Sequence, residues 1–280
     1  MLVDEVAAPA TLPEAMAFLK RRPGAVPWAG GTLLMTDRGA LPGDRPVTVL
    51  DVHGLPELGT VSRSDRYLEL GACVTLARML DLPSGVEMAP LRLAASGIGT
   101  SSVRDLATIG GNLGSRRAFM SCFPALSCMD AAVELRDAAG VRWSSVHRLV
   151  GEDGRPRFPE ATLLTRVRVP VGPWDAVVVR PVGPAFFPDP DAATFCAAAR
   201  ISKGALTDVR LAAAGAFLVR DRELEMSLTG KKAPAPRRIA EAAGRSLGDR
   251  AVELGAGEEF AGRLAGLACE FLLQCQEAAP

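Results

Sequence analysis

The chain has 280 residues, with 32 lysines and arginines against 32 aspartates and glutamates, two histidines, six cysteines and 5% aromatic residues. A net charge of zero excludes the basic excess with which proteins neutralise nucleic-acid phosphates, so we expect no nucleic-acid partner. The two histidines and the scattered cysteines match no zinc or iron–sulfur ligand spacing, so we expect no metal site in this chain. The length is typical of two domains.

The first part of the chain predicts a mixture of short helices and strands. A capping box at residues 11–14 begins a helix that Pro23 and Gly24 end. Further helices are predicted at residues 75–80, 89–96 and 123–129. Strands are predicted at residues 46–52, 67–72, 132–136 and 141–143, the last two joined by a hairpin turn at residues 137–140.

The second part predicts a small sheet backed by helices. A strand at residues 163–169 ends at Pro170, and the stretch 170–190, rich in proline and glycine, is the predicted domain boundary. Beyond it, strands are predicted at residues 195–201 and 209–219, and helices at about 236–247 and 258–276.

The N-terminus carries acidic residues, Asp4 and Glu5, where a secretion signal needs positive charge. No apolar run approaches the length of about 18 residues that a membrane span requires. We therefore expect a cytoplasmic protein without an integral membrane segment.

Two glycine pairs are the strongest chemical signals, Gly30-Gly31 in an Ala-Gly-Gly-Thr segment and Gly110-Gly111 in a Thr-Ile-Gly-Gly-Asn segment. Glycine pairs let main-chain amides approach an anion without obstruction by Cβ, and such a nest of N–H donors can hold a diphosphate. The hydroxyls of Thr32 and Thr108 and the amide of Asn112 can add hydrogen bonds at the rims. The alternative is that both segments are merely tight turns.

Competing motifs fail on their spacing. Residues 97–102 begin like a dinucleotide fingerprint but end in serine and follow no predicted strand. Residues 230–232 lack the upstream glycine and the following Ser or Thr of a phosphate-binding P-loop. No Gly-x-Ser-x-Gly segment supports a hydrolase.

The chain carries an ordered series of short segments. They are residues 29–32, 50–52 with 55–58, 70–76, 103–113, 124–126, 130–131, 163–170, 209–211, 214–215 and 228–230. This series resembles the FAD-binding medium subunit of molybdenum hydroxylases, a group that includes xanthine dehydrogenases and aerobic carbon monoxide dehydrogenases. The most specific part of the resemblance is Arg104 to Asn112.

This resemblance implies an α+β fold. Residues 1–172 would form a vanillyl-oxidase-like (PCMH-type) FAD-binding domain, with lobes at about 1–54 and 55–172. Residues 173–280 would form the C-terminal flavoprotein domain of carbon monoxide dehydrogenases, a small antiparallel sheet with a helical bundle.

The resemblance also implies noncovalent FAD and a set of binding residues. The first loop supplies Pro27, Trp28, Ala29, Gly30, Gly31, Thr32, Leu33 and Leu34, and the second supplies Thr108, Ile109, Gly110, Gly111 and Asn112. Ile98 takes the place of an apolar or aromatic residue near the flavin, and Leu163 or Leu164 supplies a later contact. No catalytic side chain is implied.

Two positions depart from the family pattern. Ser121 stands where the family usually has an aspartate that contacts the cofactor, so the negative charge is absent. Arg180 is the best match for a lysine near the flavin ring, and an arginine keeps the charge but not the geometry. The thiol of Cys122, near this region, is interpreted as an inert core group.

The function implied is electron transfer within an oxidoreductase. FAD would accept electrons from [2Fe-2S] clusters on a small iron–sulfur subunit and pass them to NAD, a quinone or O2. Substrate chemistry would occur on a large subunit with the molybdenum cofactor, in a heterotrimer or its dimer. The alternatives are a structural subunit with weakened or lost FAD binding, and a self-contained flavin oxidoreductase of the superfamily.

Overall fold

The computed structural model describes residues 2–36, 46–83, 88–115, 118–183 and 192–276. The strands of these residues are β1 Val3–Ala7, β2 Val26–Trp28, β3 Val47–Asp51, β4 Val61–Arg63, β5 Tyr67–Gly71, β6 Ala132–Asp137, β7 Gly140–Ser145, β8 Leu163–Pro170, β9 Ala176–Val182, β10 Ala193–Ser202, β11 Ala205–Ala214 and β12 Leu218–Arg220. The helices are α1 Leu12–Arg21, α2 Thr32–Thr36, α3 Leu76–Leu80, α4 Ala89–Ser96, α5 Ser101–Leu106, α6 Ile109–Leu113, α7 Cys122–Cys128, α8 Arg222–Leu228, α9 Arg237–Glu253 and α10 Glu258–Gln274. Of these helices, none combines the length and the apolar character needed to span a bilayer.

The first lobe is a three-stranded parallel sheet in the order β1-β3-β2, with α1 against one face. Thr11 caps α1, because its hydroxyl accepts a hydrogen bond from the Glu14 amide at 3.4 Å. Ala15 and Leu19 follow at helical spacing and are buried in one cluster with Leu50 of β3. Because the strands are parallel, the carboxyl ends of all three meet at one edge, where the segment after β2 emerges.

The second lobe is a five-stranded antiparallel sheet in the order β4-β5-β8-β6-β7. Leu68 and Leu70 of β5 are buried, whereas Glu69 between them accepts a hydrogen bond from Arg168 of β8 at 2.8 Å on the opposite face. This alternation leaves one apolar face, and helices α3 to α7 cover it to form the largest core cluster of the described residues.

The C-terminal part is a four-stranded antiparallel sheet in the order β12-β11-β10-β9, with α9 and α10 packed on one face. Gly244 lets these two helices approach closely, since a Cβ there would lie 2.5 Å from the carbonyl oxygen of Ala265. The other face meets α4 and α7 through small side chains. They are Ala94, Ala125, Cys128, Cys196 and Ala212.

Asp130, after α7, ties the second lobe to the C-terminal sheet. Its carboxylate accepts hydrogen bonds from Arg210 at 2.6 Å, Arg220 at 3.1 Å and Arg222 at 2.8 Å. Burial raises the pKa of this carboxyl, whereas the hydrogen bond with His147 and the three positive charges lower it. The lowering is larger, so the pKa of Asp130 lies well below its usual range and the carboxylate stays charged.

The predicted helices and strands are confirmed except at one strand of the C-terminal part. The stretch 170–190, predicted as the domain boundary, contains a strand that was not predicted, β9, and residues 184–190 of it lie outside the described residues. The predicted strand 209–219 is wrong in its extent, because the chain turns at Gly215, where a Cβ would lie 2.3 Å from the Ala192 carbonyl oxygen. The division into residues 1–172 and 173–280 stays a prediction.

Candidate functional site

The first glycine loop connects β2 to α2 at the carboxyl edge of the parallel sheet. Gly31 has φ +66°, in the left-handed region that favours glycine. A Cβ on Gly31 would also lie 2.4 Å from the indole ring of Trp28. The conformation of this turn and its packing on Trp28 therefore both require glycine.

The amides of this loop have no hydrogen-bond partner among the described residues. This holds for all six N–H groups of residues 29–34. The hydroxyl of Thr32 likewise has no partner in the same part of the structure, and residues 29–34 are all half-buried, so solvent or a ligand can reach them. Unpaired amides around a left-handed residue form an anion-binding nest.

The second glycine loop differs, because the amides of residues 109–112 already have partners. The amide of Ile109 donates to the Val74 carbonyl at 3.0 Å, and that of Gly110 donates to the Ala72 carbonyl at 2.8 Å. Thr108 accepts the other two, that of Gly111 on its hydroxyl at 3.0 Å and that of Asn112 on its carbonyl at 2.9 Å. The amides of the second glycine pair are therefore occupied within the chain, and the contact of residues 108–112 with FAD stays a prediction.

The two loops nevertheless lie side by side. A Cβ on Gly30 would lie 1.7 Å from the carbonyl oxygen of Leu106, at the end of the helix that leads into Thr108. A Cβ on Gly110 would lie 2.6 Å from the Ala72 carbonyl oxygen. The first glycine of each pair thus allows close approach of two backbones, and the contact at Gly30 brings the two loops together.

Arg104, on α5, contacts the turn that carries Ile98. Its Nη1 donates to the carbonyl oxygens of Ser96 at 3.3 Å, Ile98 at 3.0 Å and Gly99 at 2.8 Å. The sequence marked Arg104 only as the start of the most specific segment, and no role followed from its type and position alone. Ile98 itself is half-buried against the core of the second lobe.

Residues 3–172 match the family described as FAD binding domain in molybdopterin dehydrogenase. The chain belongs to this family. Its cofactor is therefore FAD, and the predicted family and the oxidoreductase class are confirmed.

Two sequence relatives agree with this assignment. The nicotinate dehydrogenase FAD-subunit of Eubacterium barkeri is 32% identical over 144 residues, 49% of this chain and 47% of the relative, so the match spans about half the length of each. The xanthine dehydrogenase FAD-binding subunit of Escherichia coli O157:H7 is 27% identical over 242 residues, 85% of this chain and 82% of the relative.

Solved structures share the fold along almost the whole chain. Quinoline 2-oxidoreductase from Pseudomonas putida 86 aligns with a TM-score of 0.76 at 21% identity, covering 98% of this chain and 100% of that one. A Cu,Mo-CO dehydrogenase aligns with a TM-score of 0.78 at 21% identity, covering 98% and 97%. The predicted FAD-binding fold with a C-terminal flavoprotein domain is confirmed.

The first glycine loop fits FAD. The diphosphate of FAD is an anion that needs hydrogen-bond donors, and residues 29–34 offer six amides that have no partner in the described part of the chain. In the second loop, the Thr108 hydroxyl caps α6, and the Asn112 side-chain oxygen accepts from the Cys122 amide at 3.1 Å. Because the amides of residues 109–112 already donate within the chain, the second loop has few backbone N–H groups left to donate to phosphate oxygens.

Ser121 lies next to this hydrogen bond. Its side chain is half-buried and has no hydrogen-bond partner among the residues that the structure describes, so its hydroxyl is free to meet a ligand. Burial raises the pKa of the neighbouring Cys122 thiol to about 12, which keeps that thiol protonated and unreactive. The role of Ser121 toward FAD stays a prediction.

Leu163 and Leu164 begin β8 and are both buried. Leu163 lies in the first-lobe cluster against which Ala29 packs, and Leu164 lies in the second-lobe core against which Ile98 packs. These two adjacent residues thus connect the core that packs against the first loop with the core that packs against the Ile98 turn. Their contact with FAD stays a prediction.

Arg180 projects from the face of the C-terminal sheet that carries α9 and α10. It pairs with Phe195 of β10, and directly opposed residues of neighbouring strands project to the same face. Phe195 is buried in the core under α9 and α10, whereas Val179 faces α4 and α7. Arg180 is exposed on the face of the sheet opposite the second lobe, and its role toward FAD also stays a prediction.

Proposed function

We propose that this chain holds one noncovalent FAD, with the cofactor's diphosphate on the amides of residues 29–34. The observation that carries the proposal is a set of six amides beside the second loop that lack partners among the described residues, in a chain that belongs to an FAD-binding family. When bound, FAD supplies the redox chemistry, since it accepts electrons and passes them on.

The chain's own residues bind and orient the cofactor. The amides of the first loop and the hydroxyl of Thr32 hold the diphosphate, and the Trp28 ring packs against Gly31. Ile98 and Leu163 or Leu164 supply apolar contacts, and the Ser121 hydroxyl donates or accepts a further hydrogen bond. No side chain acts as an acid or base in this account.

The holoenzyme we propose is a cytoplasmic molybdenum hydroxylase. A small iron–sulfur subunit delivers electrons from [2Fe-2S] clusters to FAD, and a large subunit with the molybdenum cofactor hydroxylates the substrate. The assembly is a heterotrimer or its dimer, and NAD, a quinone or O2 accepts the electrons. The names of the relatives from Eubacterium barkeri and Escherichia coli, both FAD-carrying subunits of dehydrogenases, support this proposal.

Titration of the flavin-free chain with FAD, FMN and ADP tests the site. We expect saturable uptake of one FAD per chain, much weaker binding of FMN, which lacks the diphosphate, and competition by ADP, which has it. Uptake of FMN as tight as that of FAD would contradict the diphosphate site. No flavin uptake at all would favour a structural subunit.

Purification of the native complex tests the assembly. We expect the chain to copurify with one iron-containing and one molybdenum-containing subunit, and we expect activity only in the complex. Turnover of a small substrate by the isolated chain would favour a self-contained flavin oxidoreductase instead.

A further inference from the structure

Helix α5 lies at the junction of three of the chain segments predicted to contact FAD. Its N-terminal end follows the turn that carries Ile98. Its C-terminal end contacts the first glycine loop, where Gly30 packs on the Leu106 carbonyl, and continues into Thr108 of the second loop. A single side chain on α5 can therefore influence how these segments are placed relative to one another.

Arg104 is that side chain, because its Nη1 lies within 3.3 Å of three carbonyl oxygens in the Ile98 turn. The Ser96 carbonyl ends helix α4, where carbonyl groups lack intrahelical partners and a cation is favourable. Hydrogen bonds from a charged donor are stronger than neutral ones. Arg104 is half-buried, which limits competition by water for these bonds.

The backbone of the turn is constrained by the same helix. Gly99 has φ +52°, and a Cβ there would lie 2.9 Å from the Val103 side chain. Thr100 caps α5 by accepting from the Val103 amide at 3.4 Å. Backbone conformation thus fixes one side of the turn. On the other side, the side-chain hydrogen bonds to the carbonyls of Ser96, Ile98 and Gly99 come, within the described residues, from Arg104 alone.

We propose that Arg104 is a positioning residue for FAD: it holds the Ile98 turn in place relative to the two glycine loops, without itself touching the cofactor. The proposal rests on the function proposed above, because it assigns Ile98 a contact with the flavin. Loss of the three Arg104 hydrogen bonds would leave the amides of residues 29–34 intact but would let the apolar contact at Ile98 move.

The test compares Arg104→Met and Arg104→Lys with Arg78→Met in the full chain. Arg78 is the matched control, since its Nη1 also donates to a backbone carbonyl, that of Gly59, outside the predicted FAD segments. The readouts are the Kd for FAD, the thermal midpoint of the flavin-free chain and the midpoint potential of the bound flavin.

We expect Arg104→Met to weaken FAD binding about tenfold, equivalent to about 1.4 kcal/mol, and to shift the flavin potential. Arg104→Lys keeps a charged donor and should recover most of the affinity, while Arg78→Met should bind FAD as the wild type does. In an Ile98→Ala background, the effect of Arg104→Met on FAD affinity should largely disappear, because the Ile98 contact that Arg104 positions is already lost.

Equal FAD affinity and potential in Arg104→Met and wild type would overturn the positioning role and leave the proposed function standing. Equal losses in Arg104→Met and Arg78→Met, or an undiminished Arg104→Met effect with Ile98→Ala, would also overturn it, since they indicate a general effect on stability. A wild-type chain that takes up no FAD would overturn the proposed function and this inference with it.

Discussion

The two glycine loops look alike in sequence and differ in what their backbones offer. Each has a glycine pair followed by a polar residue, and each packs its first glycine against a neighbouring backbone. Among the described residues, the amides of residues 29–34 in the first loop have no partners. In the second loop, the amides of residues 109–112 donate to the carbonyls of Val74, Ala72 and Thr108 and to the Thr108 hydroxyl. A glycine pair therefore indicates close backbone approach, and only the neighbouring acceptors decide whether its amides are free for a ligand.

This difference assigns separate tasks to the loops. In the function proposed above, the first loop is the phosphate-binding element, and the second is a rigid support against which the first is placed. Substitutions that respect this division should separate FAD affinity from stability, and the following predictions run from the largest expected effect to the smallest.

Gly30→Ala should have the largest effect, because its Cβ would lie 1.7 Å from the Leu106 carbonyl oxygen and must push the two loops apart. We expect a loss of about 3 kcal/mol in the free energy of unfolding, measured with urea. FAD affinity should fall by about 100-fold, measured by titration. Gly24→Ala is the control, since a Cβ there meets nothing within 4 Å; a Gly30→Ala protein as stable as this control would contradict the contact between the loops.

Gly31→Ala should have the next largest effect. The left-handed conformation costs alanine about 1 kcal/mol, and the Cβ of alanine would clash with the Trp28 ring. We expect FAD affinity to fall at least about tenfold. Gly140→Ala is the matched control, since Gly140 also has positive φ, in the β6–β7 turn away from the site. It should lose similar stability and keep FAD affinity; equal FAD loss in both variants would refute the special role of residue 31.

Thr108→Val and Thr32→Val should have opposite consequences. Thr108→Val removes the acceptor for the Gly111 amide and should cost about 1 kcal/mol of stability, without raising FAD affinity although an amide is freed. Thr32→Val should leave stability unchanged and weaken FAD binding several-fold, because its hydroxyl has no partner among the described residues. Urea unfolding and FAD titration of both variants test this difference. A loss of stability in Thr32→Val together with a loss of FAD affinity in Thr108→Val would contradict it.

Gly111→Ala should have the smallest effect. A Cβ at this helical position meets only the Thr108 hydroxyl, at 3.1 Å, and the better helix propensity of alanine offsets that contact. We expect stability within about 0.5 kcal/mol of wild type and unchanged FAD affinity. A strong loss of FAD by this variant would mean that the second loop, and not the first, lies against the diphosphate.

Local signals in the sequence predicted much of the fold. The capping box at Thr11 begins α1, and the predicted helix 89–96 coincides with α4, because caps and helical periodicity depend on near neighbours. Strand β9 was missed because proline and glycine flank its short valine run. The family resemblance supplied FAD, which composition and spacing alone did not.

The details of the site depend on contacts between distant parts of the chain. Nothing near Gly110 in sequence shows that Ala72 supplies the acceptor for its amide, and nothing near Gly30 shows that Leu106 lies against it. The face on which Arg180 projects follows from its register with Phe195, which sequence spacing does not specify. The three carbonyls that Arg104 holds are likewise brought together only by the fold.

Amide hydrogen exchange of the flavin-free chain, with and without added FAD, tests the central claim most directly. The account predicts that amides 29–34 exchange rapidly without FAD and become protected when FAD binds, while amides 109–112 are protected in both states. FAD-induced protection confined to residues 109–112, with residues 29–34 unchanged, would contradict it.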